Sequence, residues 1–312
     1  MRPSRPLADA LAERALVLDG GLSNQLEAQG QDLSDDLWSA RLLADDPGQI
    51  EAAHTAYARA GAEVLITASY QATFEGFARR GAGPAEAAAL LARSVELARR
   101  AADAAPREVW VAASVGPYGA HLADGSEYRG AYGLAAGELE RFHRPRVEAL
   151  AAARPDVLAL ETVPDTDEAR ALLAATEGCG VPLWLSYTVA GGRTRAGQDL
   201  ARAFALVAGR DDVVAVGVNC CDPREAAAAA RLAVRTTGRP AVVYPNSGER
   251  WDPAAHRWTG AVTYAPDGAR EWRAAGARLL GGCCRVGPAD IAALAAALGS
   301  PGRDTSWAGA GA

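Results

Sequence analysis

The sequence predicts an α/β fold, a single (β/α)8 TIM barrel, on three observations. Eight short β-rich apolar runs recur along 312 residues. Alanine-rich stretches with helix start and stop signals fill the intervals, and each run ends on polar or thiol side chains. Near-continuous apolar runs suit parallel strands covered on both faces, and strict strand-helix alternation suits one wound domain. A doubly wound open sheet is the competing architecture, but no GxGxxG follows the first run.

The runs are Leu16-Val17-Leu18, Val64-Leu65-Ile66, Val109-Trp110-Val111, Val157 to Leu160, Leu183-Trp184-Leu185, Val213 to Val218, Val242-Val243-Tyr244 and Leu279-Leu280. Residues 6–14 read as a short helix able to cover the barrel bottom. Asp45-Asp46-Pro47 sets acidic capping residues before a first-turn proline, and Gly61 stops that helix. Gly83-Pro84 opens a helix over Ala85 to Ala105, Asp222-Pro223 opens another stopped by Gly238, and Pro288 begins the last. The expected domain is 1–300, with 301–312 a flexible tail.

Composition narrows the function classes. A net charge of -6 and a pI near 5.4 argue against nucleic-acid and anionic-membrane surfaces and leave a small-molecule partner. The first nine residues lack the apolar core of a secretory signal, and no apolar stretch is long enough to span a bilayer. Five cysteines, including two adjacent pairs, suit free or metallated thiols in a reducing cytoplasm better than a disulfide framework. The sequence contains no lysine, so Schiff-base catalysis and a lysine general base are excluded.

Barrel chemistry sits at the carboxyl ends of the strands. Those ends are Asp19-Gly20-Gly21, Thr67 to Gln71, Ser114, Glu161-Thr162, Ser186-Tyr187, Asn219-Cys220, Tyr244-Pro245-Asn246 and Cys283-Cys284. Three thiolates at the rim would make a zinc site with one position open, whereas a lone buried cysteine acts as a small hydrophobe. Gly281-Gly282 would let the backbone turn and aim both following sulfurs inward. Spacing alone leaves metal site and apolar thiols evenly matched, and strand periodicity does not separate Cys220 from Cys221.

Asp19 before two glycines also fits a turn. Glu161 would enter an apolar mouth, where it needs hydrogen bonds or a cation such as a substrate ammonium. His54 and His143 read as helix surface or packing residues. His121 falls in a loop able to approach the mouth, and His256 lies in a tryptophan-rich loop. Cys179 belongs to a helix-to-strand turn on the opposite face. The sequence lacks HxH, HExxH, GxSxG and CxxC patterns.

The chain resembles the homocysteine S-methyltransferase family in DGG (19–21), LWSA (37–40), AGAEVLITASYQAT (60–73), SVGPYGAHLADGSEYRG (114–130), LETVP (160–164), GVNC (217–220), YPNSGE (244–249) and GGCCR (281–285). These segments occur in order over residues 15–299. The resemblance implies a zinc-bearing (β/α)8 barrel with Cys220, Cys283 and Cys284 as Zn2+ ligands, and Cys221 at a variable position. It further implies that Asp19 and Glu161 hold the amino-acid end of homocysteine, with backbone N–H groups near Gly20 and Gly21 facing its carboxylate.

The activity so implied is methyl transfer to the homocysteine thiol, giving methionine. The length and the segments at 114–130 and 244–249 look most like members using S-methylmethionine, some accepting S-adenosylmethionine as well. Betaine-using relatives are longer, and cobalamin enzymes carry a DxHxxG signature that is missing here. Selenohomocysteine or selenocysteine as acceptor, betaine as donor, and a non-catalytic zinc- or thiol-binding barrel are the competing readings.

Overall fold

A computed structural model describes residues 3–34, 37–252 and 257–299. The eight apolar runs form eight parallel strands: β1 Leu16–Val17, β2 Val64–Ile66, β3 Trp110–Val115, β4 Val157–Val163, β5 Leu183–Tyr187, β6 Val213–Asn219, β7 Ala241–Tyr244 and β8 Ala277–Leu280. From β2 to β8 each strand pairs with the next in sequence, and β1 pairs with β8 through Leu16 opposite Leu279 and Val17 opposite Leu280. The bridge between Leu18 and Val64 joins the remaining edges. A closed ring leaves no long strand edge exposed, while the packed interior and the outer helices cover the two faces.

Two apolar layers result from the period-two alternation of side chains. Leu16, Leu18, Val64, Trp110, Ala112, Val157, Ala159, Trp184, Ala215, Val242 and Leu279 pack together inside the barrel. Outward residues such as Leu65, Val111, Leu158, Leu160, Leu185, Val216 and Val243 pack in the layer shared with the helices. Large Trp110 and Trp184 face small Ala112, Ala159 and Ala215, which fills the interior without a pore.

The expected bottom cover is the helix Leu7–Glu13, whose Leu7, Ala10 and Leu11 join the interior cluster. The Trp110 indole N–H donates to the Arg5 carbonyl at 3.2 Å, fastening that segment to β3. Outer helices begin and end close to their sequence signals. Pro47–Ala60 stops at Gly61 (φ 113°), and Pro223–Thr237 stops at Gly238 (φ 67°). The helix expected over Ala85 to Ala105 spans Pro84–Ala104.

Asp222 accepts from the Arg224 N–H at 3.0 Å and caps its helix, whereas Asp46 makes no side-chain cap bond. His54 and His143 are fully buried, so packing rather than helix surface describes them. His256 and the tail at 301–312 lie outside the described residues. Among the described residues no helix is long and apolar enough to cross a membrane.

Candidate metal and substrate centre

Continuing the inward parity one step past the apolar interior places Ser114, Glu161, Ser186, Asn219 and Tyr244 as a polar ring at the carboxyl end of the barrel. All five are buried and joined by hydrogen bonds. Ser114 Oγ donates to Glu161 Oε1, and Tyr244 OH donates to Glu161 Oε2 at 2.9 Å. The Tyr244 oxygen receives the Trp184 indole N–H at 3.3 Å and lies 2.8 Å from Ser186 Oγ. Ser186 Oγ donates to Asn219 Oδ1 at 2.8 Å, which also accepts the Thr162 N–H at 2.7 Å.

Thr162 and Cys220 break the strand alternation in the same manner. Both hold positive φ, 57° and 47°, in the left-handed region that L-residues adopt at a cost of about 1–2 kcal/mol. Asn219 already points inward, so an extended residue 220 would point toward the helices. The left-handed turn instead sends the Cys220 sulfur to the mouth. Cys221 takes the outward place, fully buried in the helix-facing core.

The sulfurs of Cys220, Cys283 and Cys284 all lie within 4.8 Å of one another. Backbone and amide bonds fix the GGCCR loop on the segment after β7. The Cys283 N–H donates to the Pro245 carbonyl at 2.7 Å, the Cys284 N–H to Asn246 Oδ1 at 3.1 Å, and the Ser247 N–H to the Cys284 carbonyl at 2.9 Å. Arg285 Nε then donates to Glu249 Oε2 at 2.6 Å. Asn246, which the strand-end reading includes, is a positioning residue, as are Ser247 and Glu249, which that reading does not reach although the YPNSGE segment contains them.

Gly20 and Gly282 permit a close approach between the loops after β1 and β8. A Cβ on Gly20 would come 2.3 Å from the Val286 carbonyl oxygen, and one on Gly282 would come 2.2 Å from Val286 Cγ1. The Gly21 N–H donates to the Val286 carbonyl at 2.9 Å, so it is not available to a substrate carboxylate. Among the described residues the Gly20 N–H has no such acceptor.

Asp19 makes no turn cap. Its Oδ2 accepts the Ile66 N–H at 2.8 Å, while Oδ1 is buried and has no hydrogen-bond partner. Burial raises its carboxyl well above the usual range, opposed by the Ile66 bond and reinforced by the charge of Glu161. Burial also pushes Glu161 up to about 7, although its bonds to Ser114 and Tyr244 favour the ionised form. Two buried carboxyls, one with a bare oxygen, form an acceptor for a cationic head group.

The three thiols titrate together. Hydrogen bonds from Cys220, then Cys283, hold Cys284 well below the usual thiol range despite burial. Its neighbours rise in compensation. Bonds to Cys220 and Cys284, together with burial, raise Cys283. Cys220 gains thiolate character from Cys283, but its bond to Cys284 and its burial outweigh that and raise it. Three soft donors set to share a single charge suit a thiophilic cation and leave room for a fourth ligand.

Of the remaining candidates, His121 lies on the short helix Tyr118–Leu122, with Nδ1 3.1 Å from Thr73 Oγ1 and Nε2 2.8 Å from Arg79 Nη2. Cys179 stands outside the cluster, with its Sγ 3.8 Å from the Ala175 carbonyl.

The sequence profile of homocysteine S-methyltransferases matches residues 16–298. The chain belongs to the homocysteine S-methyltransferase family. It is 46% identical to the homocysteine S-methyltransferase of Escherichia coli (strain K12), covering 94% of this chain and 98% of that one. It is 42% identical to the homocysteine S-methyltransferase YbgG of Bacillus subtilis (strain 168), covering 90% and 93%. The fold of this family member also matches a crystal structure of the Escherichia coli homocysteine methyltransferase MmuM in its metallated form. The TM-score is 0.85 at 45% identity, with 94% of this chain and 99% of that one covered.

Proposed function

We propose that this homocysteine S-methyltransferase moves a methyl group from S-methylmethionine to homocysteine at a zinc ion held by Cys220, Cys283 and Cys284. The observation that carries the reading is the meeting of three sulfurs within 4.8 Å, from loops after β6 and β8, at a mouth that also holds Asp19 and Glu161. The donor set fits zinc, because thiolates are soft ligands and three of them leave one position of a tetrahedron for substrate. When bound, zinc lowers the pKa of a coordinated thiol, which for a free thiol is about 8.5.

The chain's own residues do the rest. Asp19 Oδ1 takes the homocysteine ammonium, Glu161 adds its charge, and the Gly20 N–H is the donor left for the carboxylate. Fixing that end orients the sulfur toward the cysteine cluster and toward the incoming methyl carbon. The buried polar ring excludes water from the anionic sulfur. A bond forms between the homocysteine sulfur and the methyl carbon as the donor's methyl–sulfonium bond breaks. The homocysteine thiol proton is released, and both products are methionine. The leaving sulfur departs neutral, so no general acid is needed.

The test is methionine formation from homocysteine and S-methylmethionine in zinc-replete protein, with zinc content measured alongside. Cys283→Ser and Cys284→Ser should lose both zinc and turnover, while Cys221→Ser should keep its zinc. Undiminished turnover in the first two variants would defeat the mechanism.

A further inference from the structure

The long loop between β3 and the helix Ala136–Ala152 is fastened from the far side by two carboxylates at the start of the helix Thr166–Ala175, which follows β4. Asp165 Oδ1 caps its own helix through the Asp167 and Glu168 N–H groups at 3.0 and 2.8 Å. Its Oδ2 accepts the Ala131 N–H at 2.9 Å. Glu168 is fully buried and accepts from the Tyr118 N–H, from Tyr132 OH at 3.0 Å and from His143 at 2.9 Å. Both ends of the segment 118–132 are therefore pinned to the start of the helix that follows the strand bearing Glu161.

The pinned segment carries Glu127 and Tyr128. Glu127 Oε2 is buried and has no hydrogen-bond partner, and no cation pairs with this carboxylate among the described residues. Arg129 is instead 3.8 Å from Asp124. Burial pushes the Glu127 carboxyl up to about 7, opposed by its own backbone N–H and by the charge of Arg129 and reinforced by the charges of Cys220 and Asp124, and its own charge acts on Cys284 and Tyr70. The group therefore shares the field of the sulfur cluster. The neighbouring Tyr128 ring is braced by the Arg195 guanidinium at 5.3 Å, and Arg195 Nε donates to Thr188 Oγ1 at 3.2 Å. Thr188 Oγ1 donates in turn to the Cys220 carbonyl at 3.1 Å.

A buried carboxylate without a cation costs free energy that an incoming positive charge offsets. Asp19 and Glu161 already serve the acceptor's ammonium in the reading above. A second cationic molecule has to reach the same sulfurs, and it carries its charge next to the methyl group in transit. We propose that Glu127 is the counter-charge for the cationic methyl donor, carried on the loop that the Asp165 and Glu168 clamp fastens, and that it sets the preference for a sulfonium over an uncharged thioether. This inference rests on the donor class proposed above. It places the selection of that donor on a residue of the loop after β3, separate from the acceptor pair.

The experiment compares calorimetric binding of S-methylmethionine and of methionine, its uncharged thioether counterpart, to the zinc-replete protein. Saturating 2-aminobutyrate fills the homocysteine subsite without supplying a thiol. Wild type should favour the sulfonium by about tenfold, the scale of one charge-assisted contact. Glu127→Gln should erase that preference by weakening S-methylmethionine alone, with zinc content and 2-aminobutyrate affinity unchanged. Glu127→Asp should restore part of it. A preference retained in Glu127→Gln, or both ligands weakened equally, overturns the assignment. Turnover assays separate the premise from the inference: a sulfonium preference that depends on Glu127 without methionine formation would sink the donor reading and leave the cation site standing.

Discussion

Glu161→Gln isolates the energetic consequence of building a carboxyl into the barrel mouth. In the folded protein burial lifts that carboxyl from 4.5 to about 7, against the opposing bonds from Ser114 and Tyr244. A folded pKa above the unfolded value gives stability that is fully present below the unfolded pKa and lost as pH rises through the folded one. The window is therefore pH 4.5 to about 7. Two to three pH units at about 1.4 kcal/mol each give a loss of about 3 kcal/mol across it.

Glutamine keeps the size of the side chain and cannot ionise, so the variant should lack this component of the pH slope. Urea unfolding of both proteins from pH 5 to pH 8, at matched zinc content, reads the difference directly. The variant should gain about 3 kcal/mol relative to wild type between the two limits. Parallel curves would refute the claim that a buried, proton-binding Glu161 governs this window. Homocysteine binding should show the opposite trend in wild type. Affinity for the ammonium should rise as pH increases through about 7 and the carboxylate forms, and that rise should disappear in the variant.

Two further substitutions probe neighbouring groups. Asp19→Asn should raise the KM for homocysteine by about tenfold to a hundredfold, because the bare Oδ1 no longer offers a charge, and leave the KM for the donor unchanged; initial-rate kinetics with each substrate varied would show it. Glu168→Ala strands the Tyr118 N–H, Tyr132 OH and His143 at a buried site and should destabilise the protein by about 3–5 kcal/mol, measured by denaturant unfolding.

Much of the architecture was legible without coordinates, because closely spaced apolar runs and capped helices are local signals. The eight runs became the eight strands, and Gly61 and Gly238 stopped their helices with positive φ. The parity that puts Ser114, Glu161, Ser186, Asn219 and Tyr244 on one inner ring was also present in the chain. It follows from counting two residues at a time beyond Ala112, Ala159, Trp184, Gly217 and Val242, a step that strand-end reading omits. The Cys283-Cys284 pair after two glycines was equally visible.

Periodicity could not distinguish Cys220 from Cys221, since a single left-handed residue reverses the rule that strands obey. Nor could it show that the Gly21 N–H is already bonded to Val286, or that Asn246 holds Cys284, because those partners are far apart in sequence.

By itself, then, the sequence determined a barrel, its rim chemistry and the family to which the chain belongs, since these follow from patterns a few residues long and from motifs preserved in order. Only the tertiary structure brought together the three sulfurs that the resemblance names, and decided which carboxyl oxygen stays bare and which loop brings Glu127 to the same field. Those properties depend on ring closure and on backbone turns that bring residues more than sixty positions apart to within 4.8 Å, as the sulfurs of Cys220 and Cys283 show.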